Sequence, residues 1–224
     1  MQSSLRFTLF ALAVTTARAE ELKDILARMD QAAAKFQSLT ATTKRTEFTA
    51  VLNETADSYG SVRLKKGKGG TQGVIVFTDP DPRTIHLAGK SLEIFYPKAN
   101  TVEIYDAGKH ITTADEILLM GFGISGAELS KNYEVKLAGN ELVNGERTSK
   151  LELVPKSEEV RKLATKIELW IPEGKSNPVQ EKITQPSKNY NLVLFSNLKI
   201  NDPLPDSDYS LKLPPGVKKL HPQK

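Results

Sequence analysis

The sequence predicts a mainly β protein with a few helices, in which an antiparallel sheet curls partly shut around its own apolar side. Three observations carry this. From Ser38 onward, short runs of β-branched and aromatic residues alternate with polar ones, and turn residues such as Asn144-Gly145 and Pro172-Glu173-Gly174 separate them. Most neighbouring runs can pair as hairpins, which gives about eleven strands in up-and-down order. One helix and one short insertion are too little to cover so many strands unless the sheet folds over its own apolar face. That leaves a cavity or groove lined by one strand face and roofed by the helices.

Residues 1–19 are set apart as a secretory signal peptide. Arg6 precedes an apolar run from Phe7 to Val14, and Ala17-Arg18-Ala19 presents small residues at a cleavage site before Glu20. The run is well short of the 18 or more residues that span a bilayer. Residues 20–224 then form a single domain in the periplasm. The chain has no cysteine, so disulfides, thiolate catalysis and cysteine-based zinc sites are excluded. Its 31 Lys and Arg stand against 27 Asp and Glu; without Arg6 and Arg18, 29 bases remain and the net charge is +2. That is too mild for a nucleic-acid partner, and none is expected.

Glu21 to Lys35 reads as a helix, with Leu22, Ile25, Leu26, Met29, Ala33 and Phe36 on one apolar stripe. Thr40–Leu52 and Ser58–Lys66 form a hairpin across residues 53–57, and Gly73–Thr78 is a short buried strand that Asp79-Pro80-Asp81-Pro82 stops. Thr84–Ala88, Leu92–Tyr96 and Thr101–Asp106 follow as a meander. The pattern then breaks. Ala114–Met120 is a short helix, Gly121-Phe122-Gly123 ends it, and Ser125–Lys131 makes another helical turn. Strands resume at Tyr133–Leu137, Glu141–Val143, Ser149–Val154, Lys166–Ile171, Val179–Thr184, Tyr190–Ile200 and Asp208–Leu213.

The insertion is the candidate lid. Leu118, Leu119, Met120, Phe122 and Ile124 are too densely apolar for a solvent loop, and Gly121, Gly123 and Gly126 permit hinge motion. A plain core-covering insertion is the other reading. Phe95 and Trp170 are the aromatic candidates for the cavity wall, with ordinary core packing the alternative for Trp170. The one concentrated basic run, Arg63, Lys65, Lys66 and Lys68, is either a solvated hairpin end or a patch for lipid headgroups or an acidic partner. His86, His110 and His221 are scattered without ligand spacing, and no nucleophile or phosphate-binding motif occurs. No enzyme activity, cofactor or metal is expected.

The segments LKDILARMDQAAAKFQSL, GSVRLKK, LEIFYPKANTVEIYD, EILLMGFGISGAELSKNYEVKL, LVNGERTSKLELVPK, KIELWIPEGKSNPVQEKIT and DYSLKLPPGVK, in this order, resemble the LolA-like outer-membrane lipoprotein carriers over roughly residues 21–218. The resemblance implies an unclosed β-barrel with a helical lid over an apolar cavity that accepts acyl chains. It also implies a monomeric carrier that takes lipoproteins from an inner-membrane release complex to an outer-membrane receptor. In the family an arginine after the second strand latches the lid. Here Lys66 is the nearest match, and lysine lacks the planar fork of arginine. Two alternatives go with the same fold: a binding or transport protein for another amphiphilic lipid, and a non-transporting envelope sensor.

Overall fold

The computed structural model describes residues 20–67, 70–88, 91–106 and 121–222. Helix α1 spans Leu22–Lys35. Then come β1 (Ser38–Thr49), β2 (Glu54–Gly67), β3 (Gly70–Asp79), β4 (Arg83–Ala88), β5 (Ser91–Tyr96) and β6 (Thr101–Asp106). A short α2 (Gly126–Asn132) leads into β7 (Tyr133–Val143) and β8 (Glu146–Pro155). After α3 (Glu158–Arg161) follow β9 (Lys166–Pro172), β10 (Gln180–Thr184), β11 (Tyr190–Ile200), a 3₁₀ turn at Asp206–Tyr209, and β12 (Lys218–Leu220).

All twelve strands form one sheet in the order β12-β6-β5-β4-β3-β2-β1-β11-β10-β9-β8-β7. The outer strands, β12 and β7, do not pair, so the barrel is unclosed. Hairpin pairing holds on both sides of one long connection, the antiparallel pairing of β1 with β11 that joins Arg45 to Val193 in register. Strand β12, which the sequence did not announce, adds itself in parallel to β6, Lys218 opposite Thr101, and the expected runs Tyr133–Leu137 and Glu141–Val143 are one strand, β7. The strand expected over Asp208–Leu213 is instead the 3₁₀ turn and irregular chain. The first hairpin also turns earlier than expected, at residues 50–53, with Asn53 in the left-handed region at φ 53°. The predicted helix at Ala114–Met120 and the signal segment lie outside the described residues.

One apolar cluster runs along a single face of the sheet. It takes alternate residues from most strands: Leu39, Val62, Ile75, Ile85, Leu151, Leu169, Ile183 and Val193 among them. Strands as far apart in the order as β4 and β9 share it, because α1 lies across that face. Ile25 and Met29 of α1 are fully buried in the cluster, with Leu22, Leu26 and Phe36 packed at its edge. The stripe read from the sequence is the stripe that is buried. The end of α1 is clipped by Asn201, whose Oδ1 accepts from the Gln37 and Ser38 amides at 2.7 and 3.2 Å while Nδ2 donates to the Lys35 carbonyl at 2.9 Å.

Candidate functional site

The concave face under α1 is the candidate site. Its roof has two parts. The second part begins at Gly121 and continues into α2, which has a capping box: Ser125 Oγ accepts from the Glu128 amide at 3.1 Å, and the Glu128 carboxylate accepts from the Ser125 amide at 3.4 Å. Asp30 of α1 accepts from the Ala127 amide at 3.0 Å, so the two roof elements hold each other. Phe122 is buried and meets Phe195 of β11 edge to face, with ring centroids 4.9 Å apart. Ile124 packs at the margin of the cluster.

The glycines here answer a packing need. A Cβ on Gly121 would sit 2.2 Å from the Pro178 ring, and one on Gly126 would sit 2.5 Å from the Leu26 carbonyl oxygen. Gly123 has φ +70° and lies against the Phe36 ring. Close approach explains all three without hinge motion.

Polar side chains also face the concave side. At one end Arg45 donates through Nε to Asn191 Oδ1 at 3.0 Å and pairs with Glu47 at 2.7 Å. A void of about 20 Å³ lies beside it, lined by Thr43, Val62, Ile75, Phe77, Val193 and Phe195, room for about one water. At the other end Val179, Phe195, Leu198 and Ile200 run out into a cleft of about 550 Å³, rimmed by Asn144, Glu146, Lys175, Asn177 and Asn197. Its size is that of an ordinary small-molecule site. In the cross-strand row of Arg45, Glu181 of β10 also points into the cluster. It is fully buried, and among the described residues neither carboxyl oxygen has a hydrogen-bond partner. Burial pushes its carboxyl well above the usual carboxylate range.

Glu181 is not among the residues picked out by sequence. Its signal was a break in the pattern: Val179 and Ile183 mark the inward face of β10, and the residue between them is an acid.

The residues that sequence did pick out divide between the two faces. Leu118, Leu119, Met120 and Lys68 lie outside the described residues. Phe122 and Ile124 are in the roof. Strand alternation puts Phe95 and Trp170 on the convex side, opposite the concave cluster. There the Trp170 indole donates to Glu141 at 2.7 Å and lies under the Lys150 ammonium at 4.8 Å. The Trp170 hydrogen bond, followed by Lys150, holds the Glu141 carboxyl below its ordinary value. Lys66 is exposed at the rim, in step with the inward Val62 and Leu64, whereas Arg63 and Lys65 point to the convex side. Lys65 has an acidic partner within the chain, Asp206 at 2.5 Å. Among the described residues no cluster of three His, Asp or Glu side chains could hold a metal ion, and no helix is long and apolar enough to cross a membrane.

No curated protein matches the sequence. Among solved structures, an uncharacterized conserved protein from Thermus thermophilus superposes with a TM-score of 0.55 at 11% identity, over 89% of this chain and 98% of that one. MucB superposes with a TM-score of 0.51 at 13% identity over 85% of this chain; the match spans only 62% of MucB. These two show a shared fold. A putative outer membrane lipoprotein-sorting protein domain from Vibrio parahaemolyticus also matches, at a TM-score of 0.45 and 14% identity, over 84% of this chain and 96% of that one. A family of predicted periplasmic proteins, DUF2092, matches over residues 24–221, nearly the whole described chain. The chain belongs to the DUF2092 family of periplasmic proteins.

Proposed function

We propose that this protein is a periplasmic carrier that binds acyl chains of lipoproteins on its concave face and shuttles them from the inner to the outer membrane. The observation that carries this reading is the face itself: one continuous apolar surface from most of the strands, under a roof that contacts it mainly through apolar side chains. Such contacts are non-directional, so acyl chains can take their place at little cost. Leu118, Leu119, Met120, Phe122 and Ile124 form the lid in this reading, and Lys66 at the rim is the counterpart of the latching arginine in LolA-like carriers. The name of the Vibrio match, a lipoprotein-sorting domain, is in keeping with it.

The energetics favour partial burial. One fully buried 16-carbon chain would contribute roughly 13 kcal/mol at about 0.8 kcal/mol per CH₂. Three would exceed the practical ceiling of non-covalent binding, about 18–21 kcal/mol, and could never be released. An unclosed sheet, open at the 550 Å³ cleft, limits how much of a chain is covered.

Native mass spectrometry of the protein purified from the periplasm of its own host tests the proposal. A co-purifying lipoprotein supports it. A free lipid moves the cargo to another amphiphile, and no ligand with tight binding of a periplasmic protein segment supports an envelope sensor. That second reading draws on the fold shared with MucB, which has itself been solved in complex with MucA.

A further inference from the structure

Glu181 is hard to explain as structure. Its neighbours across the ladder are Leu169 on β9 and Val193 on β11, and Ile183 follows on the same face. All are buried apolar residues. A carboxyl with no hydrogen-bond partner in such a place costs several kcal/mol, and a leucine there would cost nothing comparable. Among the described residues the other titratable groups on this face do not satisfy it. Tyr133 at the start of β7 is near enough that Glu181, after burial, raises its phenol. Arg45 lies in the same cross-strand row beyond Val193, about two strand spacings or 10 Å away. Its guanidinium is already engaged with Asn191 and Glu47.

The position matters as much as the burial. Val193 is followed two residues later by Phe195, on which Phe122 of the roof rests. Gly121 meets Pro178, just before β10. The roof element that would be displaced by a ligand therefore sits beside Glu181. A ligand lying along Phe195 would pass within reach of the carboxyl.

We infer that Glu181 is the polar anchor of the concave site, presenting a neutral carboxyl whose O–H donates to the acyl carbonyl of the bound ligand. The inference rests on the acyl-binding reading above and adds its recognition chemistry. Apolar contacts cannot fix where along a uniform chain the protein grips. One hydrogen bond to the carbonyl sets the register, with the hydrocarbon lying on the cluster and the linkage to the rest of the cargo directed to the cleft. A neutral carboxyl suits this because its O–H donates to the carbonyl of an ester or an amide, and its own carbonyl oxygen can also accept from an amide N–H.

The test uses the full mature chain and three radiolabelled probes: methyl palmitate, palmitamide and hexadecane. Glu181→Leu, which removes an unpaired carboxyl from an apolar site, is expected to fold and melt no lower than wild type. It should weaken the carbonyl probes about tenfold, the scale of one hydrogen bond, and leave hexadecane unchanged. Glu181→Gln, which keeps a donor and an acceptor, should hold all three within about threefold. The larger loss, for ester or for amide, tells which linkage is read. Equal losses for hexadecane and the carbonyl probes, or no loss for either, overturn the anchor and leave the carrier reading standing. Failure of the wild type to bind any of the three overturns both.

Discussion

The two faces of the sheet are both apolar in part, and they are covered in different ways. On the concave side α1 and the 121–132 segment lie on the main cluster through Ile25, Met29, Phe122 and Leu129. On the convex side Val74, Phe95 and Val102 are buried outside that cluster. There the chain after β11 returns across β2 and β3. Its cover is pinned by directional contacts: Lys65 to Asp206, the Lys65 ammonium 5.0 Å from the Tyr209 ring, and Ser210 Oγ to the Asp206 carbonyl at 3.3 Å. An acyl chain can replace leucine or phenylalanine in a contact. It cannot replace an ion pair. Helix α1 has directional ties of its own, to Asn201 at its end and from Arg28 Nε to the Lys175 carbonyl at 3.1 Å, so in the proposed reading the part of the concave cover that a ligand would replace is its apolar contacts, such as Phe122 on Phe195.

The largest expected effect comes from truncating the concave cover. Ile25→Ala should lower unfolding stability in urea by about 2–5 kcal/mol, because the side chain is wholly buried between helix and sheet. A loss below about 1 kcal/mol would mean that α1 is a loose cover and that the division between roof and core is drawn in the wrong place.

The next effect is pH-dependent and separates Glu181 from the convex carboxylates. Its pKa is raised in the folded state from an ordinary 4.5. Below 4.5 both folded and unfolded chains hold the proton, and the group contributes no slope. Above it the unfolded chain releases the proton and the folded chain keeps it, so stability falls by about 1.4 kcal/mol per pH unit until the folded carboxyl ionises. Glu141 works in the opposite sense: its pKa is lowered, so its contribution is present at neutral pH and lost as pH falls through the acid range. The difference in unfolding free energy between wild type and Glu181→Gln should therefore shift to the disadvantage of wild type as pH rises above the ordinary carboxylate range, for as long as the folded carboxyl keeps its proton. Parallel curves would show that the carboxyl finds a partner in solution.

Most of the fold could be read from local pattern, since hairpins and one amphipathic stripe are local signals. Helix α1, the Asn144-Gly145 hairpin and α2 all follow from residues close in sequence. Two regions could not be read that way. In the stretch after Asp208, alternation of Tyr209, Leu211 and Leu213 mimics a strand, but Pro203, Pro205, Pro214 and Pro215 bracket it and the chain crosses the convex face without joining the ladder. Strand β12 is short and parallel, and its partner β6 lies more than a hundred residues earlier, so no neighbouring residue announces it. The site was less legible than the fold. Alternation tells that two sets of side chains face opposite ways, but not which set is inside. Phe95 and Trp170 look as fit for a cavity wall as Phe195 until register assigns the faces. The basic run is similar: four bases within six positions read as one patch, whereas the strand sends Lys66 to the rim of one face and Arg63 and Lys65 to the other.

The smallest effect tests that last separation. Lys65→Met removes an ion pair whose acid, Asp206, is 93% exposed, together with an ammonium contact to the ring of the buried Tyr209. The exposed acid keeps the ion pair weak and the ring contact adds modestly, so global stability should fall by about 1–2 kcal/mol at most. The local consequence should be larger. Without its pin the segment around Tyr209 should open more often, and amide hydrogen exchange there should quicken while exchange in β9 to β11 stays as it was. Raising ionic strength should have the same direction of effect on the wild type, because an exposed pair is screened within about 10 Å at 0.1 M salt. Binding of methyl palmitate should not change, since Lys65 faces the convex side. Weaker binding in Lys65→Met with unaltered exchange around Tyr209 would join the two faces functionally, and would return Lys65 to a role at the ligand or with a partner, in place of the clip that the geometry gives it.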